Sequence, residues 1–480
     1  MLIPSLSYSD HAMIYSAALL IVGRFMLYSV PALSVALGES MYRPLIVYCT
    51  GLCLLRKHPT CRGIAQRVGG ASHDSLTRLL NQGPSFVSLL LLHCLQTALQ
   101  VSSGGVGPCW LILDDVLIPK PHARKMVAAY FDYDYVEDRT IRCLRVVVLC
   151  WTNGWIKIPV AFALWHKRDC AYLLATGHKF RTKNQLARIL VWKVLRRGLQ
   201  FDFLAFDSWY ASAENLVAFH RWGIPFVCAL KANRTLRQIA FPLDEAPQTK
   251  KSQRKHPLWK EKTATQWAAP YPHSRDYHHY DQIPCRARRW PVFVKDVPFV
   301  LTLVCIKNYA KTKTFKQMVT PAEKKAKDPN KYLVTNQCEL TTVQIIQRYQ
   351  KRWAVEVLFR DSKQHLGLCA YQGQSVEAHQ RHIACVFFAY TRMELLKDQV
   401  PPAPTPAHTL SIGDVKTWLE RQYLLVGVEN LPQVIDRVIS IPDPQLWKTW
   451  METPESGVET DGRPFLHKQS DEFKQLRKRA

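Results

Sequence analysis

Residues 349–363 read Tyr-Gln-Lys-Arg-Trp-Ala-Val-Glu-Val-Leu-Phe-Arg-Asp-Ser-Lys. Taken as one α-helix, the stretch places Tyr349, Arg352, Glu356 and Lys363 at offsets 0, 3, 7 and 14. At about 100° per residue these fall within roughly 60° of one another, on one face. A carboxylate among a phenol, a guanidinium and an ammonium suits a site that holds a divalent cation beside a nucleic-acid phosphate. One carboxylate does not hold a catalytic metal alone, so the fold must bring others to it.

Two apolar runs upstream supply candidates. Residues 110–118, WLILDDVLI, have the character of a buried strand interrupted by Asp114 and Asp115. Residues 201–207, FDFLAFD, form another such strand, ending in Asp207. Between them, 146–151 and 155–164 read as strands joined by Thr152-Asn153-Gly154, a strong hairpin signal, and 183–197 reads as a helix. A helix at 211–222 and a strand at 225–230 complete a β-β-β-α-β-α-β order, a mixed α/β sheet. Strand ends of such sheets are where side chains leave the core and meet ligands. Adjacent strand residues face opposite sides, so Asp114 and Asp115 compete for one place. Asp114 is preferred by its position. Lys120, Arg124 and Lys125 follow the strand as candidate phosphate contacts, while Asp132, Asp134 and Asp138 read as an exposed loop.

Around this core the chain divides. Residues 1–105 read as helical, and 60–81 carry a helix-turn-helix pattern: Thr60 and Ser72 as caps, Gly69 and Gly70 in the turn, and His73, Ser75 and Arg78 open to DNA. Residues 106–231 form the first part of the core. A basic, β-rich insertion follows at 232–331, in which 307–331 reads as an extended, DNA-facing loop. The core resumes over 332–400, where Thr341 or Thr342 caps the helix bearing Glu356. A proline-rich linker occupies 401–409. Short helices and a basic tail fill 410–480.

Composition narrows the partners. The 480 residues carry a net charge of +26 and a pI near 9.6, spread along the chain, which points to nucleic acid. No basic amphipathic helix points to a membrane surface. The apolar run 12–23 is shorter than the roughly 20 residues a bilayer span needs and lacks a basic flank. The 14 cysteines contain no Cys-x-x-Cys pair, and Cys49, Cys53, His58 and Cys61 fit no common zinc spacing. Buried thiols in a reducing cytoplasm are expected.

Oxygen-only ligands from Asp114, Asp207 and Glu356 fit Mg²⁺ or Mn²⁺ rather than zinc. At this point the chain resembles the DDE transposases of bacterial cut-and-paste insertion sequences. Tyr349, Arg352, Glu356 and Lys363 match their Tyr-x2-Arg-x3-Glu-x6-Lys signature at every spacing. Asp207-Ser208-Trp209-Tyr210 is similar to the second motif, with Trp209 where many members carry Gly; Val116 stands where the first motif often has Thr. The resemblance covers about residues 55–400. It implies a ribonuclease-H-like core holding two Mg²⁺ ions, nicking at transposon ends, often a hairpin intermediate, and strand transfer into target DNA. It also implies that Tyr349, Arg352 and Lys363 grip terminal phosphates, with a homodimer acting on double-stranded terminal repeats near the nucleoid. Trp259, Trp267 and Trp290 are candidates for stacking a flipped base. Two rival readings are an inactive, transposase-derived DNA-binding protein and a ribonuclease-H-like nuclease outside transposition.

Overall fold

The computed structural model describes residues 37–56, 59–82, 86–104, 107–134, 137–239, 259–271, 273–319, 328–400 and 410–421. The apolar run 12–23, His58, the linker 401–409 and the basic tail lie outside these. The elements in chain order begin with helices α1 (Glu39–Leu54), α2 (Cys61–Arg67), α3 (His73–Asn81) and α4 (Val87–Ser103). Strands β1 (Trp110–Pro119), β2 (Tyr130–Asp134), β3 (Arg139–Thr152) and β4 (Lys157–Trp165) follow. Next come α5 (Ala171–Thr176), α6 (Lys183–Arg196), β5 (Phe203–Phe206), α7 (Ala213–Arg221) and β6 (Phe226–Leu230). Residues 232–331 contribute β7 (Thr235–Ile239), β8 (Trp259–Thr263), α8 (Ala264–Ala268), β9 (His278–Tyr280), β10 (Cys285–Val294) and β11 (Leu301–Ile306). The chain continues with β12 (Lys331–Thr335), α9 (Thr342–Gln350), α10 (Trp353–His365) and α11 (Val376–Leu395), and 412–421 are helical. Among the described residues no helix is long and apolar enough to cross a membrane.

Two compact units emerge, one of Met1–Cys94 with Arg360–Ala480 and one of Leu95–Phe359. In the first, α1 packs on α11 and α3. Tyr48 Oη and His382 Nδ1 share a hydrogen bond of 2.8 Å between α1 and α11, and Arg381 donates to the Leu80 carbonyl at 2.6 Å. The buried Lys416 ammonium donates to the carbonyls of Leu52, Leu55 and His365, closing the end of α1. The α2–α3 pair starts from side-chain caps: Thr60 Oγ1 accepts from Gly63 N–H and Ser72 Oγ from Ser75 N–H. Gly69 and Gly70 between them hold φ of 70° and 77°, left-handed values that a side chain would strain. Leu76, Leu79 and Leu80 of α3 point inward, while His73 and Arg78 are exposed. Cys49, Cys53 and Cys61 are buried free thiols in this unit.

Among the described residues the second unit holds twelve strands, ordered β2-β3-β1-β5-β6-β12-β11-β10-β7-β8, with β4 on β3 and β9 on β10. β1, β5 and β6 run parallel, and β1 pairs antiparallel with β3 over its whole length. Helix α6 lies on β3 and β4, and α9 on β5, β6 and β12. The result is a mixed sheet with helices against it, compatible with a ribonuclease-H-like core.

Several expectations change. The strand at 110–118 does not end near Asp114; it runs to Pro119, because β3 continues the ladder to Cys143 opposite Pro119. Asp132 and Asp134 lie in β2, not in a loop, and Asp132 accepts from Arg145. The strands of 232–331 extend the same sheet, since β11 pairs with β12 and β10 with β11. Part of the expected loop at 307–331 is folded: Tyr309 and Phe315 are buried and stacked 4.7 Å apart in two short 3₁₀ turns. The stretch 349–363 is not one helix. α9 ends at Gln350, Lys351 and Arg352 form a turn, and α10 begins at Trp353. At that break Arg352 N–H bonds to the Tyr349 carbonyl and Val355 N–H to that of Arg352, both i→i−3.

Ser72→Ala removes one cap, and we expect a loss of about 1 kcal/mol. Gly70→Ala forces a left-handed alanine whose Cβ would stand 3.2 Å from Val47 Cγ2, and we expect about 1–2 kcal/mol or more. Urea midpoints followed by far-UV circular dichroism check both; no shift in either variant would contradict this account of the turn.

Candidate active site

The parallel ladder between β1 and β5 brings the first two acids together. It pairs Leu113 with Phe206, the last residue of β5. The next positions in register are Asp114 and Asp207. Asp114 continues along β1, and Asp207 is the first residue past β5, where the parallel pairing stops. Asp207 Oδ1 accepts from the Trp209 N–H at 2.9 Å, fixing its carboxylate at the start of the loop.

The third acid arrives through an arginine. Arg352 Nη1 donates to Asp114 Oδ2 at 2.5 Å and to Glu356 Oε1 at 3.1 Å. The break after α9 turns the Arg352 side chain inward, so the guanidinium is buried between two carboxylates. Asp114 Oδ1 accepts from the Asp115 N–H at 2.8 Å. Burial, and then the charges of Glu356, Asp207 and Asp115, push the Asp114 carboxyl well above the ordinary carboxylate range, with Arg352 pulling the other way. Asp207 is likewise raised, first by burial and then by Asp115, against Arg352 and Lys331. Burial would strip the Arg352 proton, but Tyr349, Asp114, Glu356 and Asp207 outweigh it and hold the guanidinium charged.

Asp115 has a different environment. It faces the other side of β1, toward α6, and is enclosed by cations. Arg145 Nη1 donates to Oδ2 at 2.7 Å, Lys183 Nζ lies 3.2 Å from Oδ1, and Tyr210 Oη donates to Oδ1 at 2.8 Å. Burial alone would raise this carboxyl; Lys183 and Arg145, with hydrogen bonds from Arg145 and Tyr210, hold it below its usual value. Every strong direction around Asp115 is taken by protein. Asp115 is thus tied into the fold, whereas Asp114 and Glu356 share the Arg352 guanidinium.

The remaining sequence candidates separate. Tyr349 is buried, with the Lys331 ammonium 5.5 Å from its ring centroid. Lys120, expected as a phosphate contact, is fully buried, because β1 carries it inward opposite the Arg142 carbonyl. Lys363 is exposed on the last turn of α10 and belongs to the other unit, as do His73 and Arg78. Trp267 is buried, and Trp290 packs near Tyr271 with the Arg288 guanidinium against both rings. The side chain of Trp259 lies outside the described residues. The open aromatic beside the acids is Trp209, 51% exposed and two residues past Asp207. Lys183 Nζ and Lys231 Nζ lie 4.0 and 5.0 Å from its ring centroid. Trp209 also lines a cavity of about 320 Å³ with Lys231, Arg234 and Lys295. Sequence reasoning missed Lys183, Arg145 and Tyr210; only the second acid in Asp114-Asp115, which needs partners of its own, signalled them.

Among the described residues no group of three or more histidines, cysteines or acids is arranged to hold a metal ion. The donor chemistry nevertheless fits a hard divalent cation. Asp114, Asp207 and Glu356 offer oxygen donors alone; burial and then their mutual repulsion raise Asp114, and the positive Arg352 bonds to two of them.

Neutralising Asp115 takes the carboxylate from the largely buried Lys183 and leaves Arg145 with Asp132 alone. We expect Asp115→Asn to cost roughly 3–5 kcal/mol in urea unfolding. The pH dependence has opposite signs. The depressed Asp115 stabilises the fold above its unfolded value of 3.8 and loses that contribution as pH falls below it. The raised Asp114 favours the fold when protonated, and that contribution is lost as pH rises above 3.8. Carboxyl titrations by NMR check the order; Asp115 titrating above Asp114 would contradict it.

The chain is similar to known proteins. A probable transposase for insertion sequence element IS701 from Microchaete diplosiphon is 25% identical over 181 residues, 37% of this chain and 46% of that protein. The match thus spans about half the length of that relative. Residues 33–290 match the family described as DDE superfamily endonuclease, a span that includes Asp114 and Asp207 and ends before Glu356. With more than half of its length matched, the chain belongs to the DDE superfamily endonucleases.

Proposed function

We propose that this protein is a DNA transposase that cuts at the ends of an insertion sequence and joins the freed ends to target DNA. The observation that carries the reading is the Asp114–Arg352–Glu356 bridge, with Asp207 following the Leu113–Phe206 pair that ends the β1–β5 ladder. In this reading Asp114, Asp207 and Glu356 are the metal-holding acids. Two Mg²⁺ ions, or Mn²⁺, would supply activation of the attacking water or 3′-hydroxyl and stabilisation of the leaving oxygen.

The chain's own groups do the rest. Arg352 and Asp115 N–H fix the two oxygens of Asp114, and the Trp209 N–H fixes Asp207. Lys331, which acts electrostatically on Asp207, offers positive charge for the DNA strand beside it. Trp209, between two ammonium groups, is a face on which an unstacked base can lie while the strands exchange, and the adjoining cavity offers Lys231 and Arg234 to its phosphates. Lys363 contacts backbone phosphate. The exposed His73 and Arg78 of α3 read the terminal repeat in a helix-turn-helix manner, and two copies hold two ends. The division into a helical region at 1–105, a core at 106–231 and 332–400, and a basic insertion at 232–331 belongs to the same proposal.

Incubated with Mg²⁺ and the ends of its own element, the purified protein should release 3′-hydroxyl termini. Asp207→Ala and Glu356→Ala should not; unchanged cleavage by either would overturn the site. Binding of end DNA without cleavage in Mg²⁺ or Mn²⁺ would favour a DNA-binding protein derived from a transposase. Cleavage without strand transfer would favour a nuclease. Trp209→Ala should leave the first nick and slow the later steps by roughly 5- to 150-fold, the worth of about 1–3 kcal/mol of base stacking; equal slowing of the first nick would contradict this role.

A further inference from the structure

Arg352 is placed unlike a residue waiting for DNA. Its side chain is 6% exposed, and its Nη1 is committed to Asp114 and Glu356. Its Nε is buried with no hydrogen-bond partner, so the position leaves one donor unsatisfied. A buried guanidinium held this way is kept by the two carboxylates, not by a full set of acceptors. Those same oxygens are the ones the proposed function gives to a metal ion. A cation and an N–H cannot share one lone-pair direction on Asp114 Oδ2.

We infer that Arg352 is a positioning residue that holds Asp114 and Glu356 together in the metal-free protein and competes with the metal ion for them. This rests on the carboxylate site proposed above. Two further features support it. Without a positive charge, two acids on β1 and α10 at this distance repel each other. Arg352 also lies in the two-residue break between α9 and α10, outside either helix. Its side chain can therefore leave the carboxylates without unwinding a helical turn, and its unsatisfied Nε–H gives it a reason to seek another acceptor.

The test is metal binding by the full-length protein without DNA, read by calorimetric titration with Mn²⁺ and by the thermal midpoint with and without the ion. Arg352→Gln removes the competing charge. We expect Mn²⁺ to bind on the order of tenfold more tightly, as for loss of one charged hydrogen bond. The metal-free midpoint should fall, and the rise in midpoint on adding Mn²⁺ should exceed that of the unaltered protein. Equal or weaker binding by Arg352→Gln would overturn the inference. If that variant does not fold, Arg352→Lys serves: a single ammonium replaces the fork, affinity should rise by a smaller factor, and unchanged affinity overturns the proposal. Glu356→Gln separates the two levels. Weakened Mn²⁺ binding there, with no gain in Arg352→Gln, overturns only the competition; unweakened binding overturns the carboxylate site and the inference together.

Discussion

The bridge from Asp114 through the Arg352 guanidinium to Glu356 is the contact on which the site depends. Three acids at the end of one parallel ladder are an electrostatic liability. Two like charges about 4 Å apart cost on the order of 4 kcal/mol at an effective dielectric of 20. Arg352 offsets that cost and ties Glu356 at the start of α10 to Asp114 on β1. The price is a buried charge of its own, and it is tolerable only because both carboxylates stay with it.

The sheet then sorts two neighbouring acids by face. Asp114 points to the side that Glu356 reaches, where its charge is opposed and left partly unsatisfied. Asp115 points toward α6, where Arg145, Lys183 and Tyr210 satisfy it. One residue of register would exchange them. Lys183 ties the halves together, since the same ammonium that bonds Asp115 also lies over Trp209 on the loop after Asp207. The structural network on one face thereby steadies the open aromatic near the acids.

Much of this was legible in the chain. Buried-type runs located β1, β5 and β6, and the caps Thr60, Ser72 and Thr341 mark helix starts that the structure shows as side-chain bonds. Helical periodicity failed at 349–363, because a two-residue break leaves the apolar spacing of α9 and α10 nearly in phase; only backbone bonding reveals the turn. That break is why Arg352 is buried rather than spread along an open face with Lys363. The run 110–118 marked β1 to within one residue of Pro119; that Asp114 lies mid-strand follows from β3, which pairs with β1 along its whole length. Lys120 misled for the same reason: a lysine two residues past an apolar run looks solvated until the ladder carries it inside. The cations around Asp115 come from β3 and α6, and no local pattern joins them.

If Asp114, Asp207 and Glu356 form the one metal-holding site proposed for them, a bound ion lies against all three. Fe²⁺ substituted for Mg²⁺, with peroxide and ascorbate, cuts the polypeptide only next to the bound ion. Backbone cleavage is expected at three places, around Asp114, Asp207 and Glu356, suppressed by excess Mg²⁺. Cleavage confined to other segments, or at only one of the three, would contradict it.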